Sequence, residues 1–400
     1  MLLSLSFMIL VGLTLSEIFK KLRIPHIIGY IITGILLGPF VLNLIDINIL
    51  NISADLRQIA LIVILLRAGL SLNIEDLKRI GRPALFMAFI PATFEIVGIV
   101  ILGSLLFNLT LVDSLILGSI LAAVSPAVVI PKMLKLMEEN KGTEKKIPQL
   151  ILSGASVDDI YVIVLFTSFI SFSSEGTASI MTFISLPISI LLGILIGIIV
   201  GYLLNILFKK YHVRDTLKVL FILSISFLLV VFEKANIIPF SGLIAVMSLG
   251  ITILAKYQAL AQRLVKKYEK VWIFSELLLF ILVGALVDIT LIPNIGFTAI
   301  IMIFSALIFR AIGVYISLLK TDLNYKERLF VIISYIPKAT VQASIGSIPL
   351  SLGLNQGSFM LTVAVLAILL TAPLGAFLID LTNRLLLTIN IEEKSVSSKD

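Results

Sequence analysis

Residues 147–170 read "IPQLILSGASVDDIYVIVLFTSFI", a segment long and apolar enough to cross a bilayer as a helix. Near its middle stand two adjacent aspartates, Asp158 and Asp159. Each charge costs about 2.5–3.5 kcal/mol at the centre of a membrane helix. Apolar sequence flanks the pair on both sides, which argues against a loop or a cap. A span that keeps two such charges must face something other than lipid.

The rest of the 400-residue chain places this span among many like it. It is 59% hydrophobic and 14% charged, against nearer a quarter charged in soluble proteins. Spans are expected at 1–19, 26–43, 54–73, 83–107, 111–134, 148–172, 180–207, 216–233, 237–255, 271–288, 293–318, 327–350 and 357–388. The fold class is therefore an all-α polytopic membrane protein of about 13 transmembrane helices. With no cysteine, disulfides, thiolate metal sites and cysteine nucleophiles are excluded. His26 and His212 stand beside basic loops, without the clustered partners a metal site needs.

Lysine and arginine fall into alternate connections. One side holds Lys20, Lys21 and Arg23; Lys78, Arg79 and Arg82; Lys132, Lys135, Lys141, Lys145 and Lys146; and Lys209, Lys210, Arg214 and Lys218. It continues with Lys256, Arg263, Lys266, Lys267 and Lys270, then Lys320, Lys326 and Arg328, then Arg384, Lys394 and Lys399. The other side holds only Arg57 and Lys234. Positive loops stay cytoplasmic, so the expected arrangement is a multi-pass protein of the cell (inner) membrane, amino terminus outside and carboxyl terminus cytoplasmic. The net charge of +7 is topology, not a nucleic-acid footprint. The first span is followed rather than preceded by its basic residues, the reverse of a signal peptide, and is expected to be retained.

Two spans carry proline interruptions: "AVSPAVVIP" (123–131) in the fifth and "IPKATVQASIG" (336–346) in the twelfth. Proline removes a backbone donor and clashes with the preceding turn. By the loop assignment the two spans run in opposite directions and lie seven apart, so spans 2–6 and 9–13 form two inverted five-helix repeats with a discontinuous helix in each. Breaks at matching places in two halves point to a transport site at the midplane. The aspartates lie on the span that follows the first break.

Successive helical residues point about 100° apart, so one carboxyl can line a cavity while the other meets the broken helix. Burial and like-charge repulsion disfavour ionising both at once, so the pair can exchange a proton for a monovalent cation. Oxygen ligands suit Na⁺ or Li⁺, and Ser125 and Thr340 at the two breaks can add oxygens. Glu95 and Arg310, central in spans 4 and 11, need partners and are expected to pair with each other. Lys338 follows the proline of the second break, where it can compensate the carboxyl end of a half-helix. Arg67 can snorkel from span 3. Glu276 sits near the start of span 10, at a solvated entrance or in a dimer-facing pair.

"AVSPAVVIPKML", "ASVDDI", "FRAIGVY" and "PKATVQASIG", in this order and spacing, resemble the NHA-type clade of the monovalent cation/proton antiporter-2 family; "LLRAGL" (65–70) and "FMAFIPATFEIVG" (86–98) do so too. The resemblance covers essentially the whole chain. It implies a sodium/proton antiporter working by elevator-like alternating access, with no cofactor, in a homodimer surrounded by membrane lipid. It implies scaffold or dimerisation helices at 1–82 and 215–290, a mobile core at 83–172 and 291–388 with the two broken helices crossing, a linker helix at 173–214 and a disordered cytoplasmic tail at 389–400. The second aspartate of the family's pair is the principal ligand for cation and proton, which corresponds to Asp159, with Asp158 as the supporting ligand or second proton site. Electrogenic relatives usually pair the first aspartate with a lysine in span 11. Here Arg310 stands there and cannot release a proton at physiological pH; its match to Glu95 is expected to leave Asp158 without that partner.

Competing readings are a K⁺/H⁺ antiporter and a sodium-coupled symporter of the bile-acid-transporter type, the latter needing room for an organic solute. An intramembrane aspartyl protease needs two separated aspartates that converge and a Gly-x-Gly-Asp type segment; here the two aspartates are adjacent and no such segment exists. The lysine of "PKAT" would obstruct a cation channel.

Overall fold

The computed structural model describes residues 1–72, 81–174, 180–211, 213–234 and 239–388, and it is helical, with no β-strand among them. Lys78, Arg79, His212 and the tail from 389 lie outside the described residues. Eight helices among those described are long and apolar enough to cross a membrane; Ile27–Leu37 and Gly242–Lys256 are shorter apolar helices. Contacts divide the chain into two compact units, one of 1–45, 73–166 and 283–400, the other of 46–72 and 167–282.

The first unit opens with α1 (Leu2–Lys21) and α2 (Ile27–Leu37), which pack together. The second expected span, 26–43, ends its helix early because Gly38 is extended ahead of Pro39, as a residue before proline prefers to be. The core of the unit is a pair of long helices, one from the first third of the chain (Arg82–Phe107) and one from its later part (Ile292–Ser317), packed along each other. A methyl on Gly98 would lie 2.7 Å from the Phe309 ring, and one on Gly313 would lie 2.8 Å from the Pro91 backbone. Glu95 and Arg310 each precede one of these glycines by three residues, which puts acid and glycine, or base and glycine, on one helix face. The close approach that the glycines permit therefore also brings the two charges together.

Both expected breaks are present. The fifth span is two helices, Leu111–Ala122 and Pro126–Glu138, joined through extended Ala123 and Ser125. Pro126 opens the second half, where a missing N–H costs nothing, while Pro131 sits inside that half. The twelfth span is Tyr325–Ser334, a non-helical stretch over 335–339, and Thr340–Ile345. The two interruptions touch: the Ser125 N–H donates to the Pro337 carbonyl at 2.8 Å, and Gln342 Nε2 donates to the Ala123 carbonyl at 2.9 Å. The aspartate helix, Ile147–Ser174, and the last long helix, Gly357–Leu386, complete the surroundings. Gly375 of the latter lies against the Pro337 ring.

The second unit is built around the nearly fully buried helix Gly242–Lys256. Gly193, Gly197 and Gly201, one per turn of Ile180–Lys210, face it closely; a methyl on Gly201 would lie 2.8 Å from Thr252 Cβ. Such small-residue stripes let membrane helices gain packing contacts that lipid cannot provide. The helix Ser53–Ser71 approaches the same buried helix through Gly69 and Gly250. The basic stretch over 258–270 differs from its expected loop: Gln258–Ala285 is one helix, anchored by Arg263 on Asp215 at 2.8 Å and by the Tyr268 hydroxyl on the Val219 carbonyl. Its charges lie on helix outside the apolar stretch, where hydropathy no longer marks the element.

Candidate functional site

Four buried charges meet beside the interrupted helices, all within the first unit. Asp158 Oδ2 accepts from the Val124 N–H at 2.8 Å and from Arg310 at 2.9 Å. The other terminal nitrogen of Arg310 reaches Glu95 Oε2 at 2.8 Å and also donates to the Ala122 carbonyl. Lys338 holds Glu95 Oε1 at 2.7 Å and donates to the Leu121 carbonyl. None of the four residues is more than 1% exposed. Two carboxylates face two cations, so the set is balanced in formal charge, as buried ions must be.

Local structure explains the positions. The helix ending at Ala122 leaves its last carbonyls without intrahelical partners. Those of Leu121, Ala122 and Ala123 are taken by Lys338, Arg310 and Gln342, three side chains from distant sequence. The Tyr335 ring lies 5.3 Å from the Arg310 guanidinium carbon, and Thr371 Oγ1 accepts from the Lys338 N–H.

Asp159 stands apart from that balance. It is half-buried and makes no ion pair with a described residue, and its Oδ1 is enclosed without a hydrogen-bond partner. Asp158 Oδ1, Ser125 Oγ, Thr340 Oγ1 and Gln342 Oε1 are likewise buried oxygens without partners. Buried polar atoms are rarely left so, and an oxygen in this condition has lone pairs free for a cation or a donated proton.

A family model described as "Sodium/hydrogen exchanger, transmembrane" matches residues 5–381. The chain belongs to the sodium/hydrogen exchanger family. Sodium/hydrogen exchanger 9B2 of Bison bison bison is 32% identical over 391 residues, covering 94% of this chain and 72% of that protein. Sodium/hydrogen exchanger 9B1 of Homo sapiens is 31% identical over 391 residues, covering 93% and 74%. Among solved structures, the sodium proton antiporter MjNhaP1 of Methanocaldococcus jannaschii at pH 8 shares the fold, with a TM-score of 0.82 at 18% identity over 96% of this chain and 99% of that one. Membership makes the chain a membrane transporter, not an enzyme.

In this exchanger-family chain the expected Glu95–Arg310 pair is present, but one expectation is corrected. Asp158 is not left without Arg310, because separate guanidinium nitrogens reach both carboxylates. Lys338 does meet the carboxyl end of a half-helix, and it also pairs with Glu95. Ser125 and Thr340 open the helical segments that follow the two breaks, as their positions in the motifs suggest. Sequence reasoning missed Gln342, Tyr335 and Thr371. Gln342 was visible as an amide in the second interrupted motif; Tyr335 and Thr371 carry no such signal. Arg67 is half-buried and Glu276 buried, both in the second unit.

Proposed function

We propose that this chain exchanges Na⁺ (or Li⁺) for H⁺ across the cell membrane at the Asp158–Asp159 pair. The observation that carries this reading is the leftover carboxylate. Glu95, Asp158, Arg310 and Lys338 balance one another, so Asp159 requires one positive charge from outside, either a proton or a cation. Competition between the two for one carboxylate is exchange. Asp158 Oδ1, Ser125 and Thr340 supply further oxygens to the cation.

The quoted motifs support an NHA-type member of the monovalent cation/proton antiporter-2 family. Thirteen spans, ten of them in two inverted five-helix repeats, a cytoplasmic carboxyl terminus and a homodimer complete the reading. In it, 83–172 and 291–388 move as an elevator against scaffold helices 1–82 and 215–290, with 173–214 as the link. The ion pairs joining Glu95 and Asp158 to Arg310 support the two core stretches moving as one body.

The test uses proteoliposomes with an imposed pH gradient and a pH-sensitive dye, comparing wild type with Asp159→Asn. Dissipation by Na⁺ or Li⁺ but not K⁺, lost in the variant, is expected. An equal K⁺ response would change the ion, and full activity of correctly folded Asp159→Asn would refute the site.

A further inference from the structure

A cavity of about 360 Å³ that neither Asp158 nor Asp159 lines opens between the end of α1, the second half of the fifth span and the last long helix. Its polar lining includes Lys20, Arg23, His26, Lys132 and a single acid, Asp380. Lys132 pairs with Asp380, and among the described residues Lys20 pairs only with Glu17, in a surface contact where both side chains are more than half exposed. The cavity therefore keeps an excess of positive charge. Its walls are apolar, among them Ile24, Ile27, Val128 and Pro131. Ile18 and Leu22, at the same helix end, are 46% and 63% exposed.

Arg23 carries the second observation. The Arg23 N–H bonds the Lys20 carbonyl and the Ile24 N–H bonds the Phe19 carbonyl, closing α1 in a Schellman motif. Arg23 occupies its left-handed position at φ 62°, where glycine is the usual residue because a side chain strains the backbone. The helix end is thus made with an arginine where a glycine would close it more easily, and that arginine lines the cavity.

We infer that this cavity binds the phosphate headgroup of an anionic membrane phospholipid, with Arg23 and Lys20 on the phosphate and the apolar walls against the first acyl carbons. Basic residues near a membrane surface attract anionic lipid, and basic pockets between membrane helices take such headgroups. A free phosphate ion shares the charge chemistry but leaves the apolar walls unused.

The experiment uses the full chain purified in detergent, with no transport assay, so its outcome is independent of the exchange reading. Bound dioleoyl-phosphatidylglycerol and dioleoyl-phosphatidylcholine are compared by native mass spectrometry, and thermal unfolding is followed with each lipid and with inorganic phosphate. Wild type is expected to retain and be stabilised by phosphatidylglycerol selectively. Arg23→Gly and Lys20→Gln should each weaken that selectivity about fivefold, the effect of one basic residue. Arg23→Gly should stay folded without lipid, because glycine relieves the left-handed position, so loss of binding there is not loss of structure. Lys209→Gln, at the end of a helix in the other unit, is the control and should leave selectivity intact. Equal retention of both lipids by wild type, unchanged selectivity in Arg23→Gly, or stabilisation by inorganic phosphate that matches the lipid would each overturn the proposal.

Discussion

Arg310 is the residue on which the buried charges depend. It holds Glu95 on one nitrogen and Asp158 on the other, with the Ala122 carbonyl shared. Arg310→Gln should destabilise the protein by about 3–5 kcal/mol, the usual cost of removing one partner from a buried ion set. Denaturant unfolding in detergent is the measurement. Glu95→Gln combined with Arg310→Gln should cost less than the sum of the single changes, since each single change strands the other's charge. Arg310→Lys should recover only part of the loss, because an ammonium lacks the fork that spans two carboxylates. At this scale the sequence was legible where charge is improbable: Asp158, Asp159, Glu95, Arg310 and Lys338 stand out against apolar surroundings. It was not legible in how many partners each charge takes. One arginine expected to serve one acid serves two, since periodicity identifies a helix face but not the reach of a guanidinium. The carbonyls that Arg310, Lys338 and Gln342 satisfy are backbone groups with no letter of their own in the sequence.

Helices meet in the first unit through two glycines whose neighbours differ in kind. Gly98 faces the Phe309 side chain, whereas Gly313 faces the backbone of Ile90 and Pro91. Gly98→Ala should cost about 1–3 kcal/mol by overpacking, and Phe309→Ala should restore much of it. Gly313→Ala should cost a similar amount, and Phe309→Ala should leave that loss in place, since it removes none of the Ile90 or Pro91 backbone. Thermal unfolding of the five single and double variants separates the cases; rescue of both by Phe309→Ala would contradict the packing described. Element ends were legible wherever hydropathy and helix ended together, as at Arg82–Phe107 and Ile292–Ser317. They were not where a helix outruns its apolar stretch, as in Gln258–Ala285, or where Gly38–Pro39 ends a helix inside apolar sequence. Pro126 marked its break, but Pro131 did not, because proline also survives inside a helix when neighbouring packing compensates.

For the molecule as a transporter, the proposed exchange at Asp159, one carboxylate taking either a proton or Na⁺, would link the two ligands. Where Asp159 is protonated, each unit fall in pH should raise the Na⁺ concentration for half-maximal stabilisation about tenfold, and Na⁺ should release a proton on binding. Thermal shifts by Na⁺ across a pH series measure this, and a pH-independent midpoint would count against a shared carboxylate. The architecture follows from a legible sequence pattern, apolar spans with two proline interruptions, but how the interruptions lock together was not visible until distant segments were in place. That locking bears on how the protein is made. The carbonyls of Leu121, Ala122 and Ala123 receive their donors from residues 338, 310 and 342. A ribosome delivers those donors only after most of the chain is already in the bilayer. Until then the early half carries bare carbonyls and two acids without their cations. Pairing of these groups is therefore expected to be completed late in biogenesis, once residues 310–342 have followed the early half into the membrane.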